Sequence, residues 1–454
     1  MPIDRLSAED RLLLLSDRVW PQDVGVVLIL DGGRLLDGSG HLRIEMAREA
    51  VAQGLPDLPR LRQVLRVQRR GLGGPFWADA SSFDVAYHVR EGPHIESGGE
   101  ADLLRAVENV RSHRLDPAHP LWEIWLFPGL DAGRVGMFVR MHHVVADGVA
   151  GVASLAALLR TRSVDRVAQL AWIPAEEPSP RELLSDSLRR RANAIGAGIS
   201  AIRRPSAVLQ SAADVWRATR ELVSGEPGPV TSLGGLVGPH RRLALVRASL
   251  AEVEEVAHET GATVNDVLLA MITGGVRALL INRGEPVDQL SLSILVPVSL
   301  RQGTDDAPLG NRISQMRVPL PVGDPNPRER LRRISAATAR AKAMTHPSMG
   351  AVFRNRVLSG IVLRLVIRQR INLLSADIVG PTQPLSFAGA TIHEAFPLIN
   401  LLGNVTLGVG ALSYAGRFDV LAVADADLHP DLDVFAAAAE AEVRVLGALC
   451  GTGA

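Results

Sequence analysis

Hydrophobic and polar positions along the first third of the chain fall into short blocks of alternating period. Residues 23–33, "DVGVVLILDGG", form an apolar β-branched run closed by Asp-Gly-Gly and read as a buried strand and turn. Residues 44–55 repeat at helical spacing, 76–90 read as strand material, and 100–115 as an amphipathic helix stopped by Asp116-Pro117. Two strands are expected next, at 120–127 and 133–143, and then an apolar helix from Val149 to Leu159. Strands and helices alternate, which predicts α/β or α+β layers.

The pattern breaks near residue 172. "WIPAEEPSPRELL" is proline-rich, a helical stretch runs to about Val223, and 224–240 are dense in Gly and Pro. A new strand then begins at 241–250, a helix at 263–280, and further strands at 289–301 and 403–416. This order predicts an N-terminal domain over 1–171, a helical connection over 172–240 and a second domain over 241–454. Residues 351–374 are apolar with five arginines and no acid. Their arginines fall on two sides of a helical wheel, so a buried or partly buried helix is favoured over a membrane-surface one.

Composition narrows the function classes. Acidic and basic residues balance at 49 each, which gives no general drive toward nucleic acid. Lys342 is the single lysine, and Cys450 is the single cysteine, so an intrachain disulfide is impossible and a reducing cytoplasm is expected. The N-terminal "MPIDRLSAEDRLLLL" is unlike a signal peptide, and no apolar run reaches the roughly 18 residues of a spanning helix. A cytoplasmic protein is expected, soluble or held peripherally at the inner membrane face.

Candidate chemistry concentrates in "RMHHVVADGVAG", residues 140–151. Strand alternation puts Val135, Met137, Val139, Met141 and His143 on one face, and Arg134, Gly136, Phe138, Arg140 and His142 on the other. His143 therefore continues the more apolar face. Asp147 stands where a helix N-cap would stand, and Gly148 permits close backbone approach. A purely structural reading is complete in itself: strand, turn, capped helix and two satisfied histidines. Against it, the chain has no G-x-S-x-G elbow, H-E-x-x-H, Walker loop or C-x-x-C. A neutral histidine is suited to taking the proton of an alcohol that attacks an activated acyl group, and such chemistry needs no protein nucleophile.

His142-His143-Val144-Val145-Ala146-Asp147-Gly148 resembles the H-H-x-x-x-D-G signature of acyltransferases with the chloramphenicol-acetyltransferase-like fold. Within that group the chain resembles the bacterial wax ester synthase/diacylglycerol acyltransferases nearly end to end. "PLWEIWLFPGL" (120–130), "TVNDVLLA" (263–270), "VPVSLR" (296–301) with "LGNRIS" (309–314), and the strands after residue 404 are similar to that family's segments in order. One stretch departs: "ADIVGP" (376–381) stands where the family commonly has Ser-Asn-Val-Pro-Gly-Pro, so Asp377 replaces an Asn.

The resemblance implies two chloramphenicol-acetyltransferase-like domains forming a pseudo-dimer around a central tunnel. It implies transfer of a fatty acyl group from acyl-CoA to diacylglycerol, and also to long-chain alcohols, with His143 as general base and no covalent intermediate. His142 would support the loop. Asp147 would shape it by pairing with an arginine, for which Arg301 is the candidate. Asn265 would donate to the developing oxyanion or serve only as a helix-start residue. Pro120, Leu121 and Trp122 would line an acyl or alcohol path or simply pack at a strand edge; Gly148, Asp266 and Asp377 complete the expected substrate contacts. Acyl-CoA is a co-substrate, and no metal or cofactor is implied. A peripheral membrane or lipid-droplet surface is the expected setting. An amide-forming condensation enzyme and a non-catalytic lipid-binding relative are the competing readings.

Overall fold

The computed structural model describes residues 3–17, 19–68, 72–145, 158, 172–202, 229–299, 313–344 and 371–451. In chain order the first half contains α1 (Ala8–Asp17), β1 (Asp23–Asp31), α2 (Ile44–Gly54), β2 (Gln63–Arg66), β3 (Phe76–Asp79), α3 (Val85–His88), β4 (Val89–Glu91), α4 (Glu100–Ser112), β5 (Trp122–Leu130), β6 (Arg134–His142) and α5 (Pro180–Ile202). The second half contains β7 (Arg241–Ser249), α6 (Leu250–Thr260), α7 (Val264–Asn282), β8 (Leu292–Ser299), β9 (Ile313–Leu320), α8 (Pro327–Met344), β10 (Leu373–Val379), β11 (Ser386–Phe387), β12 (Ala390–Leu398), β13 (Leu407–Tyr414), β14 (Arg417–Asp425) and α9 (Leu432–Gly451).

Two six-stranded mixed sheets organise these elements. One has the order β11-β12-β1-β6-β5-β4 and the other β7-β14-β13-β10-β8-β9; β2 and β3 form a separate ribbon. The first sheet therefore takes two strands from the second half of the chain. Strand β12 pairs antiparallel with β1, Gly25 opposite Leu398 and Leu28 opposite Ala395. Sheet membership thus crosses the expected division at residue 240.

The predicted faces of β6 are the observed ones. Val135, Met137, Val139 and Met141 pack in a core with Val26, Leu28, Trp122 and Ile124. Phe138 joins the opposite core, where Val27, Ile29 and α4 residues Leu103 and Val107 meet Phe396, Leu398, Leu421 and Val423. That second core is shared by both sheets and α4. Gly136 allows the close approach, because a Cβ there would lie 2.5 Å from Leu103 Cδ1.

Across the same junction Arg247 of β7 donates to Glu394 of β12 at 2.8 Å and to Glu100 of α4 at 2.8 Å. Burial works against the Arg247 charge, but these hydrogen bonds outweigh it and raise its pKa above the ordinary value. In the second half α7 is the central helix of the largest core. It is long and apolar enough to cross a membrane, yet most of it is buried inside the protein.

Two expectations shift in detail, and a third falls almost wholly outside the described residues. Residues 76–90 were read as strand throughout; Val85–His88 form a helical turn instead, because the Asp84 side chain accepts the Ala86 N–H at 2.9 Å and caps it. Residues 371–374, the end of the arginine-rich apolar stretch, lead into β10 rather than continuing a helix, and 351–370 lie outside the described residues. In the expected helix 149–159, Leu158 alone is described, and it is buried against Gly54.

Candidate active site around the histidine pair

Strand β6 runs between β1 and β5, so it is buried on both edges and both faces. Such a position holds a polar residue only when its partners are built in. Arg140, 2% exposed, donates to Glu123 Oε2 from Nη2 at 2.8 Å and from Nε at 3.1 Å, and to the His113 carbonyl at 2.7 Å. Trp125 Nε1 donates to the same carboxylate oxygen at 2.9 Å. The charged face of β6 is thereby neutralised next to the histidines.

His142 ends the strand on that face. Its Nδ1 accepts the Val144 N–H at 3.2 Å, and its Nε2 lies 3.5 Å from Asp17 Oδ1 at the end of α1. Asp17 also accepts the Gln22 N–H at 2.9 Å and an Arg114 N–H at 2.8 Å. Burial alone would raise the Asp17 carboxyl; the His142 ring, the Gln22 N–H and the Arg114 charge outweigh it and hold it below the usual carboxylate range.

His143 lies one residue beyond the strand. Its N–H donates to the Gln22 carbonyl at 2.8 Å, which adds one rung to the β1–β6 ladder and carries the side chain to the Met141 face by alternation. The two rings differ in burial, which periodicity does not foresee: His142 is 5% exposed, whereas His143 is half-buried. His143 is therefore the less enclosed of the two rings. Asp147, Gly148 and Arg301 lie outside the described residues.

Pro120, Leu121 and Trp122 are all buried. Leu121 packs with Val144, Trp77 and Leu6, and Leu13 and Leu14 of α1 close over them. Trp122 sits opposite Met141 in the ladder and donates from Nε1 to the Leu61 carbonyl at 2.8 Å. The His88 ring stacks on it at 4.4 Å between centroids, and burial lowers the His88 pKa to about 4, so that ring is neutral at physiological pH. These side chains therefore form the packed base beneath the histidine turn.

In the second half Asn265 is in the first turn of α7. Thr263 and Asp266 form a reciprocal capping box, with Asp266 Oδ2 accepting the Thr263 N–H at 2.9 Å and Oδ1 accepting from Thr338 Oγ1 at 2.6 Å. Both Asp266 oxygens are engaged inside the protein, which gives that residue a structural duty. Asn265 is left out of the box, and its buried Nδ2 has no hydrogen-bond partner among the described residues. A buried amide donor held ready in this way is suited to an incoming oxygen.

Asp377 lies on β10 opposite Ala411, on the same face as Ser375, whose fully buried Oγ also lacks a partner among the described residues. Burial raises the Asp377 carboxyl to about 6. The other face of the same strand end places Ile378 against the core of Met141 and Trp122. Gly380 of "ADIVGP" is required by packing, since a Cβ would lie 2.6 Å from the Ser413 carbonyl oxygen.

Sequence reasoning did not find Asp17, Gln22, Arg114 or Asn400. No motif marks them, and only the sheet order and the return of α1 bring them together. Asn400 donates to the Gln22 side chain at 2.7 Å across 378 residues of chain, a pairing that no local pattern encodes.

Comparison with known proteins agrees with this arrangement. A family model described as the wax ester synthase/diacylglycerol acyltransferase catalytic domain matches residues 6–268, and one described as the C-terminal domain of the same group matches 309–446. A protein of Mycobacterium tuberculosis named as a probable diacylglycerol O-acyltransferase is 30% identical over 411 residues, covering 88% of this chain and 87% of the relative. Another from that organism, named as a putative diacylglycerol O-acyltransferase, is 29% identical over 95% of this chain and 87% of its own. Among solved structures, a wax ester synthase/diacylglycerol acyltransferase from Marinobacter aquaeolei VT8 aligns with a TM-score of 0.67 at 21% identity, covering 98% of this chain and 100% of that one. The first condensation domain of the calcium-dependent antibiotic synthetase aligns with a TM-score of 0.61 at 18% identity, covering 99% and 96%. These two likenesses show the two-domain chloramphenicol-acetyltransferase-like fold.

Proposed function

Because the chain belongs to the wax ester synthase/diacylglycerol acyltransferase family and is an acyltransferase, we propose that it moves a fatty acyl group from acyl-CoA to the free hydroxyl of diacylglycerol, with long-chain alcohols as a second acceptor class. His143 takes the proton of the acceptor hydroxyl as its oxygen attacks the thioester carbonyl. The tetrahedral intermediate then collapses, the carbon–sulfur bond breaks, and the imidazolium returns the proton to the departing coenzyme A thiolate. The protein forms no covalent intermediate, and acyl-CoA is a co-substrate rather than a bound cofactor.

The observation that carries this reading is the placement of His143: fixed at its N–H by Gln22, one residue past the end of a strand whose Arg140 is paired with Glu123, with its ring half-buried. General-base assistance of this kind contributes about 10² to 10⁴ in rate. Asn265 supplies the hydrogen bond to the developing oxyanion, supported by an amide Nδ2 that is buried and has no partner among the described residues. The site acts on lipid at a membrane or lipid-droplet surface on the cytoplasmic side.

Purified protein incubated with palmitoyl-CoA and a diacylglycerol is expected to form triacylglycerol and release thiol in equal amount, and to form wax ester with hexadecanol. Thiol release without ester from either acceptor overturns the reading.

A further inference from the structure

Asp17, Gln22, Arg114 and Asn400 come from separate parts of the chain and meet behind the histidine pair. Asp17 Oδ1 faces two groups at once, the Gln22 N–H at 2.9 Å and His142 Nε2 at 3.5 Å. Its other oxygen is held by Arg114 at 2.8 Å, and Arg114 also donates to the Asp17 carbonyl. Gln22 is fully buried, its side chain is fixed by Asn400 of the second half, and its carbonyl accepts the His143 N–H.

The state of His142 follows from these contacts. Because Nδ1 accepts the Val144 N–H, it carries a lone pair, so the ring proton resides on Nε2, the side facing Asp17. The backbone on both sides of His143 is thus tied to one junction: Val144 through the His142 ring, and His143 itself through Gln22. Both meet at Asp17, Gln22 through a hydrogen bond at 2.9 Å and His142 Nε2 through a 3.5 Å charge–dipole contact that falls short of a hydrogen bond. Val145 closes the turn by donating to the His142 carbonyl at 2.8 Å.

We infer that Asp17 is a positioning residue for the transfer reaction, holding the His143 backbone through Gln22 and His142, with Arg114 fixing Asp17 in turn. This rests on the reading of His143 as the base. The contacts of Asp17 run to Gln22, Arg114 and the His142 ring, so on this inference its effect falls on the rate of the chemical step rather than on binding. A catalytic group displaced by about 1 Å loses rate on the order of a hundredfold.

Four proteins separate the possibilities: wild type, Asp17→Ala, Asp17→Asn and His143→Ala, each assayed for kcat and KM with palmitoyl-CoA and diacylglycerol and each melted by circular dichroism. Asparagine keeps an oxygen for the Gln22 N–H and the His142 ring, whereas alanine keeps neither. Asp17→Ala is expected to lower kcat by about tenfold to a hundredfold with KM for acyl-CoA within about twofold, and Asp17→Asn to restore kcat to within about threefold of wild type. A wild-type kcat in Asp17→Ala, beside an inactive His143→Ala, overturns the inference and leaves the base reading standing. Equal losses in both Asp17 variants with matching falls in melting temperature also overturn it, making Asp17 a folding residue only. A wild-type rate in His143→Ala overturns the base reading instead.

Discussion

In the reaction proposed above the chemistry rests on His143 and Asn265, and the fold treats the two side chains differently. His143 is held at its backbone, with its ring half-buried. Asn265 is held by its helix, with its amide Nδ2 unpartnered among the described residues. Removing the amide should therefore cost rate and not stability. Asn265→Ala is expected to lower kcat by about 10²- to 10³-fold at an unchanged melting temperature, read by steady-state kinetics beside thermal denaturation. Thr263→Ala, one turn position earlier, should do the reverse, destabilising the protein by about 1 to 2 kcal/mol through the lost cap while sparing kcat, as urea denaturation would read. At this scale the sequence was informative where chemistry coincides with a period. The two faces of β6 were legible from alternation in "RVGMFVRMHH", as the packing of Val135, Met137, Val139 and Met141 against one core and Phe138 against the other shows. The Asp17 junction was not, because its partners are contributed by the end of a helix, two loops and the second half of the chain.

Among the elements, β10 carries two polar side chains in an unusual environment. Its Ser375–Asp377 face buries a hydroxyl with no partner among the described residues and a carboxyl whose pKa is raised to about 6 by burial. A carboxyl raised in the folded state gives stability that is full below its ordinary value of 3.8 and is lost as pH rises through about 6. Asp377→Asn, which removes the ionisable proton and keeps the shape, is therefore expected to stabilise the protein by about 1 to 3 kcal/mol at about pH 8 and not at all below about pH 4. Thermal melts across that range check it, and a variant no more stable than wild type at the alkaline end contradicts it. Element types were legible where the period was long: α2, α4, α7 and the β5–β6 pair stand where the pattern predicts them. The short α3 turn was not, because one Asp84 cap overrode strand-like residues.

On the scale of the whole molecule the two halves are less separate than the linear order suggests. Strand β12 completes the first sheet, and one core joins β1, α4, β12 and β14. Strand exchange of this kind is invisible to periodicity, which reads a strand's faces but not its neighbours. A fragment of residues 1–240 should consequently expose the edge of β1 and half of the shared core, and aggregate when expressed alone; a monomeric fragment with cooperative unfolding would show that β12 is dispensable. The assembly of both halves around one histidine turn is what the functional account requires, since Gln22 reaches Asn400 and His143 together. The direct test of that account is triacylglycerol formed from palmitoyl-CoA and diacylglycerol by wild type and by folded His143→Ala, measured side by side. A rate lower by about 10²- to 10⁴-fold in the variant is predicted, and equal ester formation by the two proteins would contradict it.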